Sequence, residues 1–513
     1  MSGLWQDSWR DALPAHMERE WYIVVIGGGI TGAGILLEAA RRGLKAVLVE
    51  QRDFAWGTSS RSSKLVHGGL RYLKQGQFAL TRESVRERQN LLQTAYGLVE
   101  PQGFAFGDYV GRKPGRRVFL IGLAIYDWMA RSRGGQRGGQ RGRHYFKRDE
   151  FLMLAPNVAT EGLQGGMCYQ DAKTDDARLV LRVLQEAQQH GALAINYMAV
   201  KKLLRSDQQT SAAQSGQVCG VLVDDAISGT QHALRARLVI NATGAWADGL
   251  RAQVDAKPKL RPLRGSHLML PAWRLPLAQA ISLMHPQDGR PVFAYPWEGA
   301  IVVGTTDLDH RSNMQIEPAI TRAEADYLMA ALQAQFPQLG LSEKDVIATY
   351  AGVRSVEDSG QADPSKEGRE HALWLEQGLL TVTGGKLTTF RMIALDALRQ
   401  AAPLLPGWSD SLQPLPIFDV SPELRCKRLS RTQKTRLTGR YGAQAQALVD
   451  CAQEGELETI PGTETLWVQL RWAARMEAVA HLDDLLLRRT RLGLLLRCGG
   501  SDVIARVRAM CQP

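Results

Sequence analysis

Apolar positions fall into short solid blocks near the start of the chain. Trp21–Ile26 (WYIVVI) is continuous, apolar and rich in β-branched residues, the pattern of a strand buried on both faces. The glycine turn 27–29 follows, then residues 30–42 with helical composition and Gly43 as a natural stop. Residues 45–50 (KAVLVE) predict a second buried strand. Strand, glycine turn, helix and strand in this order make one dinucleotide-binding unit.

Further on, residues 52–73 are polar and rich in Ser and Gly, which predicts loop, and 82–98 looks helical. Residues 176–190 predict a helix stopped by Gly191, and 193–204, 218–224 and 231–240 alternate like a meander of strands. Asn241-Ala-Thr-Gly-Ala-Trp246 comes directly after the last of these. Shorter strand-like stretches lie at 267–270, 292–295, 300–303 and 346–352. Residues 379–383 form another buried strand, which Gly384-Gly385-Lys386 turns into a helix reaching about residue 399. Beyond Pro416 helical patterns dominate, notably 428–441 and 464–496, and Pro414 and Pro416 mark a linker near 410–420.

Composition narrows the class. With 44% hydrophobic and 22% charged residues over 513, the chain is an ordinary folded protein. Cys168, Cys219, Cys426, Cys451, Cys498 and Cys511 are far apart and form no C-x-x-C. That argues against a zinc site or a redox dithiol and for a reducing compartment, so no metal is expected. Residues 1–20 contain four acids and no apolar core, unlike a signal peptide. The longest apolar run, 118–130, is interrupted by Asp127 and is shorter than the ~20 residues a spanning helix needs. The expected location is cytoplasmic, or peripheral on the inner face of the cytoplasmic membrane.

Charge adds a surface. The net charge is +11, and residues 112–148 hold eleven Lys/Arg against the single acid Asp127. Such a block suits lipid headgroups or nucleic acid. Within 116–131, Phe119, Leu120, Ile121, Ile125, Trp128 and Met129 are flanked by arginines, as in a segment lying in a lipid interface; the alternative is a buried domain helix. The Arg/Gly repeat at 133–142 reads as a low-complexity loop. It lacks interleaved aromatics for stacking bases, so no nucleic-acid partner is expected.

Gly27-Gly28-Gly29-Ile30-Thr31-Gly32 fits G-x-G-x-x-G. Gly27 permits the tight turn, Gly29 close approach of a pyrophosphate, and Gly32 close packing of helix on strand. The pyrophosphate would sit at the helix N-terminus beside Ile30. Glu50, at the end of the second strand, can accept ribose hydroxyls, which disfavours NADP but leaves FAD and NAD both open.

The run Gly57-Thr-Ser-Ser-Arg-Ser-Ser-Lys-Leu-Val-His-Gly-Gly-Leu-Arg-Tyr72 resembles the signature of FAD-dependent, quinone-linked glycerol-3-phosphate dehydrogenases. Asp175–Leu179, Asn241–Gly244, Gly265–His267, Gly304–Asp307, Gly352–Arg354, Gly384–Thr389 and His481–Leu492 match in the same order. The resemblance implies an α/β fold: a Rossmann-like FAD-binding domain of the glutathione-reductase/D-amino-acid-oxidase type, an interleaved β-sheet substrate domain, and a helical C-terminal domain. The expected layout is an extension at 1–20, FAD parts at about 21–110, 175–265 and 345–400, substrate parts at about 111–174 and 266–344, and helices over 416–513.

The resemblance selects FAD. Thr58, Ser59, Ser60 and Ser62 would supply hydroxyls over the pyrophosphate and ring edge. Singly, each is ordinary turn or cap chemistry. Ala242, Thr243 and Gly244, with Gly384, Gly385, Lys386, Leu387 and Thr388, would form a second cradle, the latter helix facing the flavin O2 and stabilising charge there. Val200 would contact the adenine side.

The implied reaction oxidises sn-glycerol 3-phosphate at C2 to dihydroxyacetone phosphate by hydride transfer to flavin N5, with electrons passing to a membrane quinone. The alternatives are an oxidase using O₂ and a related FAD enzyme acting on a 2-hydroxy acid or amine. Phosphate favours arginine forks, so Arg71 and Arg354 are the anchoring candidates, with Tyr72 beside them. His267 is the candidate base, since imidazole titrates near neutrality. Lys386 and Arg354 would add positive potential, and Thr306 and Asp307 would orient these groups. Ser355 follows Arg354 where the family commonly has proline; serine frees φ and restores an N–H, so a differently set Arg354 loop is expected. A homodimer is a further expectation.

Overall fold

The computed structural model describes residues 5–6, 8–70, 73, 76–112, 115–130, 143–206, 216–364, 367–368 and 370–511. Two sheets organise it. The first contains β1 (Trp21–Ile26), β2 (Ala46–Val49), β7 (Leu193–Ile195), β8 (Met198–Arg205), β9 (Val218–Asp225), β10 (Gln231–Asn241), β17 (His371–Glu376) and β18 (Leu379–Gly384). Its order is β17-β18-β10-β1-β2-β7, and β18, β10, β1, β2 and β7 run parallel. Ile23 sits between Ala46 and Leu238, so the apolar block of β1 is central and covered on both faces.

Helices Ile30–Ala40, Asp176–Gln189 and Phe390–Ala401 cover one face of this sheet through a shared apolar core. Gly34 admits Phe390, since a Cβ there would come within 2.8 Å of its ring. The antiparallel ribbon β8-β9-β10 covers the other face. The N-terminal residues pack on the same sheet: Trp5 Nε1 donates to Ala194 O at 2.9 Å, and Arg10 to Asn196 Oδ1 at 2.8 Å.

The second sheet has ten strands: β3 (Leu65–Val66), β4 (Val99–Tyr109), β5 (His144–Lys147), β6 (Leu163–Thr174), β11 (Leu260–Pro271), β12 (Ala280–Met284), β13 (Pro291–Trp297), β14 (Ala300–Gly304), β15 (Leu308–Asp309) and β16 (Ala348–Glu357). Alternation gives it two faces. Leu268, Leu270, Val292, Ala294, Ile301 and Val303 meet the helix Arg322–Gln335, while Met269, Tyr295, Trp297, Val302 and Tyr350 form the opposite core. The strand partition differs from the sequence reading. β4 and β16, expected in the dinucleotide part, pair in this second sheet.

The C-terminal helices are Arg431–Tyr441, Trp467–Met476 and Ile504–Cys511, with shorter turns between. The expected continuous helix over 464–496 is broken, with left-handed backbone at Ala478 (φ 51°) and Arg491 (φ 62°). The reason is tertiary. Glu477, Asp484, Arg488, Arg489 and Arg491 fold back to pair with Arg178, Tyr197, Asp53, Asp175 and Asp176. Among the described residues no helix is long and apolar enough to cross a membrane. The Arg/Gly repeat at 133–142 lies outside the described residues.

Candidate active site

The glycine turn between β1 and its helix is sterically closed. Gly27 adopts φ 112° and donates to Val49 O at 2.9 Å; a Cβ on it would come within 2.6 Å of Ala242 O. A Cβ on Gly32 would sit 1.9 Å from Gly27 O. Gly29 begins the helix, and Ile30 N–H donates to Ser59 Oγ at 3.0 Å, which brings that hydroxyl to the positive helix end. Glu50 accepts the N–H of Gly28 at 2.7 Å and of Arg52 at 2.9 Å. Burial pushes its carboxyl above the usual range, and these two N–H groups oppose the shift. Met198 N–H donates to Glu50 O at 2.7 Å, so β8, carrying Val200, starts beside the same edge.

The hydroxyls of the following loop differ from expectation. Thr58 donates to Val353 O, and Ser62 donates both its N–H and its hydroxyl to Asp176 Oδ2, at 3.0 and 2.7 Å. Ser60 is buried and its carbonyl accepts from Lys64 Nζ at 2.9 Å. Thr58 and Ser62 therefore tie the loop to β16 and to helix Asp176–Gln189, while Ser59 is the hydroxyl at the glycine turn.

The second cradle forms where β10 and β18 end side by side. Ala242 N–H donates to Ile26 O at 2.8 Å, Thr243 Oγ1 to Asn241 Oδ1 at 2.7 Å, and Thr383 Oγ1 to Gly244 O at 3.3 Å. Gly384 and Gly385 are both left-handed, at φ 74° and 75°. The helix does not open at this pair. A short turn, Leu387–Thr389, precedes the helix Phe390–Ala401. Thr388 Oγ1 donates to His67 O at 3.3 Å, and Lys386 Nζ to Ser84 Oγ at 2.9 Å.

The second sheet carries the other candidate residues. On β11 and β16, His267 lies opposite Tyr350 and Leu263 opposite Arg354, so His267, Tyr350 and Arg354 share a face. Arg354 is mid-strand and not on a loop, because Ser355 continues the ladder opposite Pro262 and bonds Thr383 Oγ1 at 2.9 Å. Its guanidinium pairs with Asp307, whose other oxygen lies 3.4 Å from Arg290. Thr306 Oγ1 accepts Ser266 N–H at 2.9 Å and donates to Glu324 at 2.8 Å, so it supports the sheet.

His267 is buried and stacks on Tyr350, with ring centroids 4.6 Å apart. Its Nε2 lies 2.9 Å from Ser63 Oγ, and its buried Nδ1 has no hydrogen-bond partner. Burial, then the positive charges of Lys64 and Arg354, hold the imidazole well below its ordinary range. It is therefore neutral at physiological pH, with a lone pair available. Lys64 Nζ, 4.6 Å from the Tyr350 ring, is itself pushed down to about 8 by burial, against the pull of Asp176.

Comparisons decide the family. The profile of the FAD dependent oxidoreductases matches residues 23–391, and that of the C-terminal domain of alpha-glycerophosphate oxidase matches 404–513. The aerobic glycerol-3-phosphate dehydrogenase of Staphylococcus aureus is 34% identical over 495 residues, covering 92% of this chain and 86% of the relative. This chain belongs to the FAD-dependent glycerol-3-phosphate dehydrogenase family. The solved glycerol-3-phosphate dehydrogenase from Bacillus halodurans, complexed with FAD, is 28% identical with a TM-score of 0.74, covering 99% of this chain and 92% of that one. L-alpha-glycerophosphate oxidase from Mycoplasma pneumoniae, at 17% identity and a TM-score of 0.59, shares the fold, covering 79% and 99%.

As in the family, the cofactor is FAD. The fit is local. The closed turn at Gly27–Gly32, with Glu50 at the adjoining strand end, suits the adenosine diphosphate half, and the paired ends of β10 and β18 suit the flavin half. Arg71 and Tyr72 lie outside the described residues. The sequence reading did not single out Ser63, Lys64, Tyr350 or Arg290. Ser63 and Lys64 sit inside the recognised run 57–72, but nothing local marks them as facing His267.

Proposed function

We propose that this enzyme oxidises sn-glycerol 3-phosphate at C2 to dihydroxyacetone phosphate, as the names of its relatives suggest. The observation that carries the reading is a buried imidazole sharing one sheet face with a carboxylate-held arginine: His267 and Arg354. His267 takes the C2 hydroxyl proton on a ring nitrogen. Arg354, together with Arg71 and Tyr72, binds the phosphate, and Asp307 holds the Arg354 fork in place. Ser63 and Tyr350 fix the imidazole, while Lys386 adds positive charge near the cradle at Gly384–Gly385. FAD, when bound, supplies the acceptor for the hydride leaving C2. Of the cradle, Gly27, Gly29, Ile30, Gly32, Glu50 and Ser59 hold its adenosine diphosphate half, with Val200 near the adenine. Ala242–Gly244 and Gly384–Thr388 hold its flavin half.

The test is anaerobic. Purified yellow enzyme mixed with sn-glycerol 3-phosphate is expected to bleach within the turnover time, and a chain that stays yellow refutes the substrate. Electrons are proposed to pass to a membrane quinone; rapid recovery of colour with O₂ and none with a quinone would make it an oxidase. Peripheral membrane binding is proposed through the helix Arg116–Ala130, which buries Leu123 and Tyr126 but exposes Val118, Ile121 and Trp128 beside Arg116 and Arg117. Co-sedimentation with anionic vesicles is expected and should drop on Trp128→Ser; unchanged sedimentation would remove that role.

A further inference from the structure

Three arginines of the C-terminal domain, Arg488, Arg489 and Arg491, are buried against the loops of the first domain. Buried charges carry a large desolvation cost and must be matched by close partners. Arg489 grips Asp53 through two bonds of 2.8 Å, and Arg488 reaches Asp53 at 2.5 Å and Asp484 at 2.6 Å. These two join domain to domain. Arg491 differs. It bonds Asp175 at 2.9 Å, Asp176, and the carbonyl of Ser60 at 3.2 Å.

Asp176 is the hub of the loop that faces His267. One of its oxygens takes both donors of Ser62, and Lys64 Nζ lies 3.0 Å from the other. Ser63 stands between these two anchored residues. Its carbonyl accepts the Tyr295 hydroxyl, and the Ser62 carbonyl accepts that of Tyr350 at 3.1 Å. Ser63 Oγ meets His267 Nε2 at 2.9 Å, while the neighbouring Lys64 ammonium lies over the Trp297 and Tyr350 rings of the second sheet. Two of the partners of Asp176, Lys64 (φ 51°) and Arg491 (φ 62°), adopt left-handed backbone that side chains disfavour. Such conformations persist where surrounding contacts over-determine them.

We infer that Arg491 is a positioning residue for His267: acting through Asp176, it fixes the loop 60–64 so that the Ser63 hydroxyl sets the orientation and tautomer of the imidazole. The second nitrogen, Nδ1, is buried with no hydrogen-bond partner of its own, so the Ser63 contact is the hydrogen bond that decides the tautomer. The helical domain thereby contributes to chemistry hundreds of residues away without touching substrate. This rests on the reading of His267 as the proton acceptor. Arg440 supplies the comparison. It also binds Asp175, at 3.0 Å, and Glu298 at 2.9 Å, partners that lie outside residues 60–64.

The experiment uses the FAD-loaded full chain and anaerobic stopped-flow reduction by sn-glycerol 3-phosphate, with melting temperature measured alongside. Arg491→Gln and the milder Arg491→Lys, which keeps the charge and loses the fork, are expected to slow reduction at saturating substrate about tenfold or more. The half-saturating substrate concentration should change less than twofold. Ser63→Ala should slow reduction by a similar factor alone and add little in either Arg491 background, whereas the losses in melting temperature should add. Arg440→Lys should lower the melting temperature and leave reduction unslowed. A crystal structure of Arg491→Lys should show Ser63 drawn away from His267.

Independent, multiplicative effects of Arg491 and Ser63 would overturn the inference. So would slowing by Arg440→Lys in proportion to its lost stability. If wild type is not reduced by the substrate, the functional reading fails instead. If wild type is reduced and His267→Gln is not slowed, the base assignment fails.

Discussion

The backbone of Gly304 lies flat against the edge of the His267 imidazole. A Cβ at 304 would come within 2.2 Å of Cδ2 and 2.8 Å of Nε2. The two residues face each other across β11 and β14, so a side chain here has no free direction except into the ring. Gly304→Ala is expected to displace the imidazole and slow flavin reduction at least tenfold, about 1.4 kcal/mol in barrier, with FAD retained. Stopped-flow reduction together with the flavin-to-protein absorbance ratio checks this. A reduction rate within twofold of wild type would show that the ring tolerates the push.

Gly32→Ala should fail differently. Its Cβ would meet the carbonyl of Gly27 at 1.9 Å, and neither the turn nor the helix can yield without opening the cofactor cradle. Overpacking of this kind costs about 1–3 kcal/mol. The variant is expected to purify with most of its FAD lost and a lower melting temperature. A fully yellow Gly32→Ala protein would contradict the geometry.

His267 makes stability depend on pH. Burial, Lys64 and Arg354 hold its folded pKa below the ordinary value of about 6.5. The unfolded chain therefore binds the extra proton first in acid. The contribution is complete above about 6.5 and declines as pH falls below it, by at most about 1.4 kcal/mol per pH unit. Urea unfolding of wild type should weaken from pH 6.5 to 5 more steeply than that of His267→Gln. Equal slopes would mean that the imidazole is not held neutral.

Asp307 is buried and faces two arginines, Arg354 and Arg290. Asp307→Asn removes the charge that holds both forks. The expected result is a tenfold or larger rise in the substrate concentration for half-maximal reduction, with a smaller change in the limiting rate. Steady-state and stopped-flow measurements on the same preparation separate the two quantities. An unchanged half-saturating concentration would remove Asp307 from substrate binding.

Helix Arg431–Tyr441 and the buried strands near the N-terminus needed nothing beyond their own residues to be read. Trp21–Ile26, the glycines at 27, 29 and 32, and Glu50 specify a strand, a closed turn and a strand end through local sterics and apolar periodicity, and the structure places them so. The order of the motifs likewise named the family. Tertiary structure alone decided the rest. It moved β4 and β16 into the second sheet, because strand pairing is chosen by distant partners. It broke the 464–496 helical pattern, because buried aspartates of the first domain claimed its arginines. It gave the Ser62 hydroxyl to Asp176 and brought Ser63 to His267 across 204 positions of chain. Hydrogen bonds of that reach leave no periodic trace in a local window, whereas a glycine that must clear its neighbour's carbonyl does.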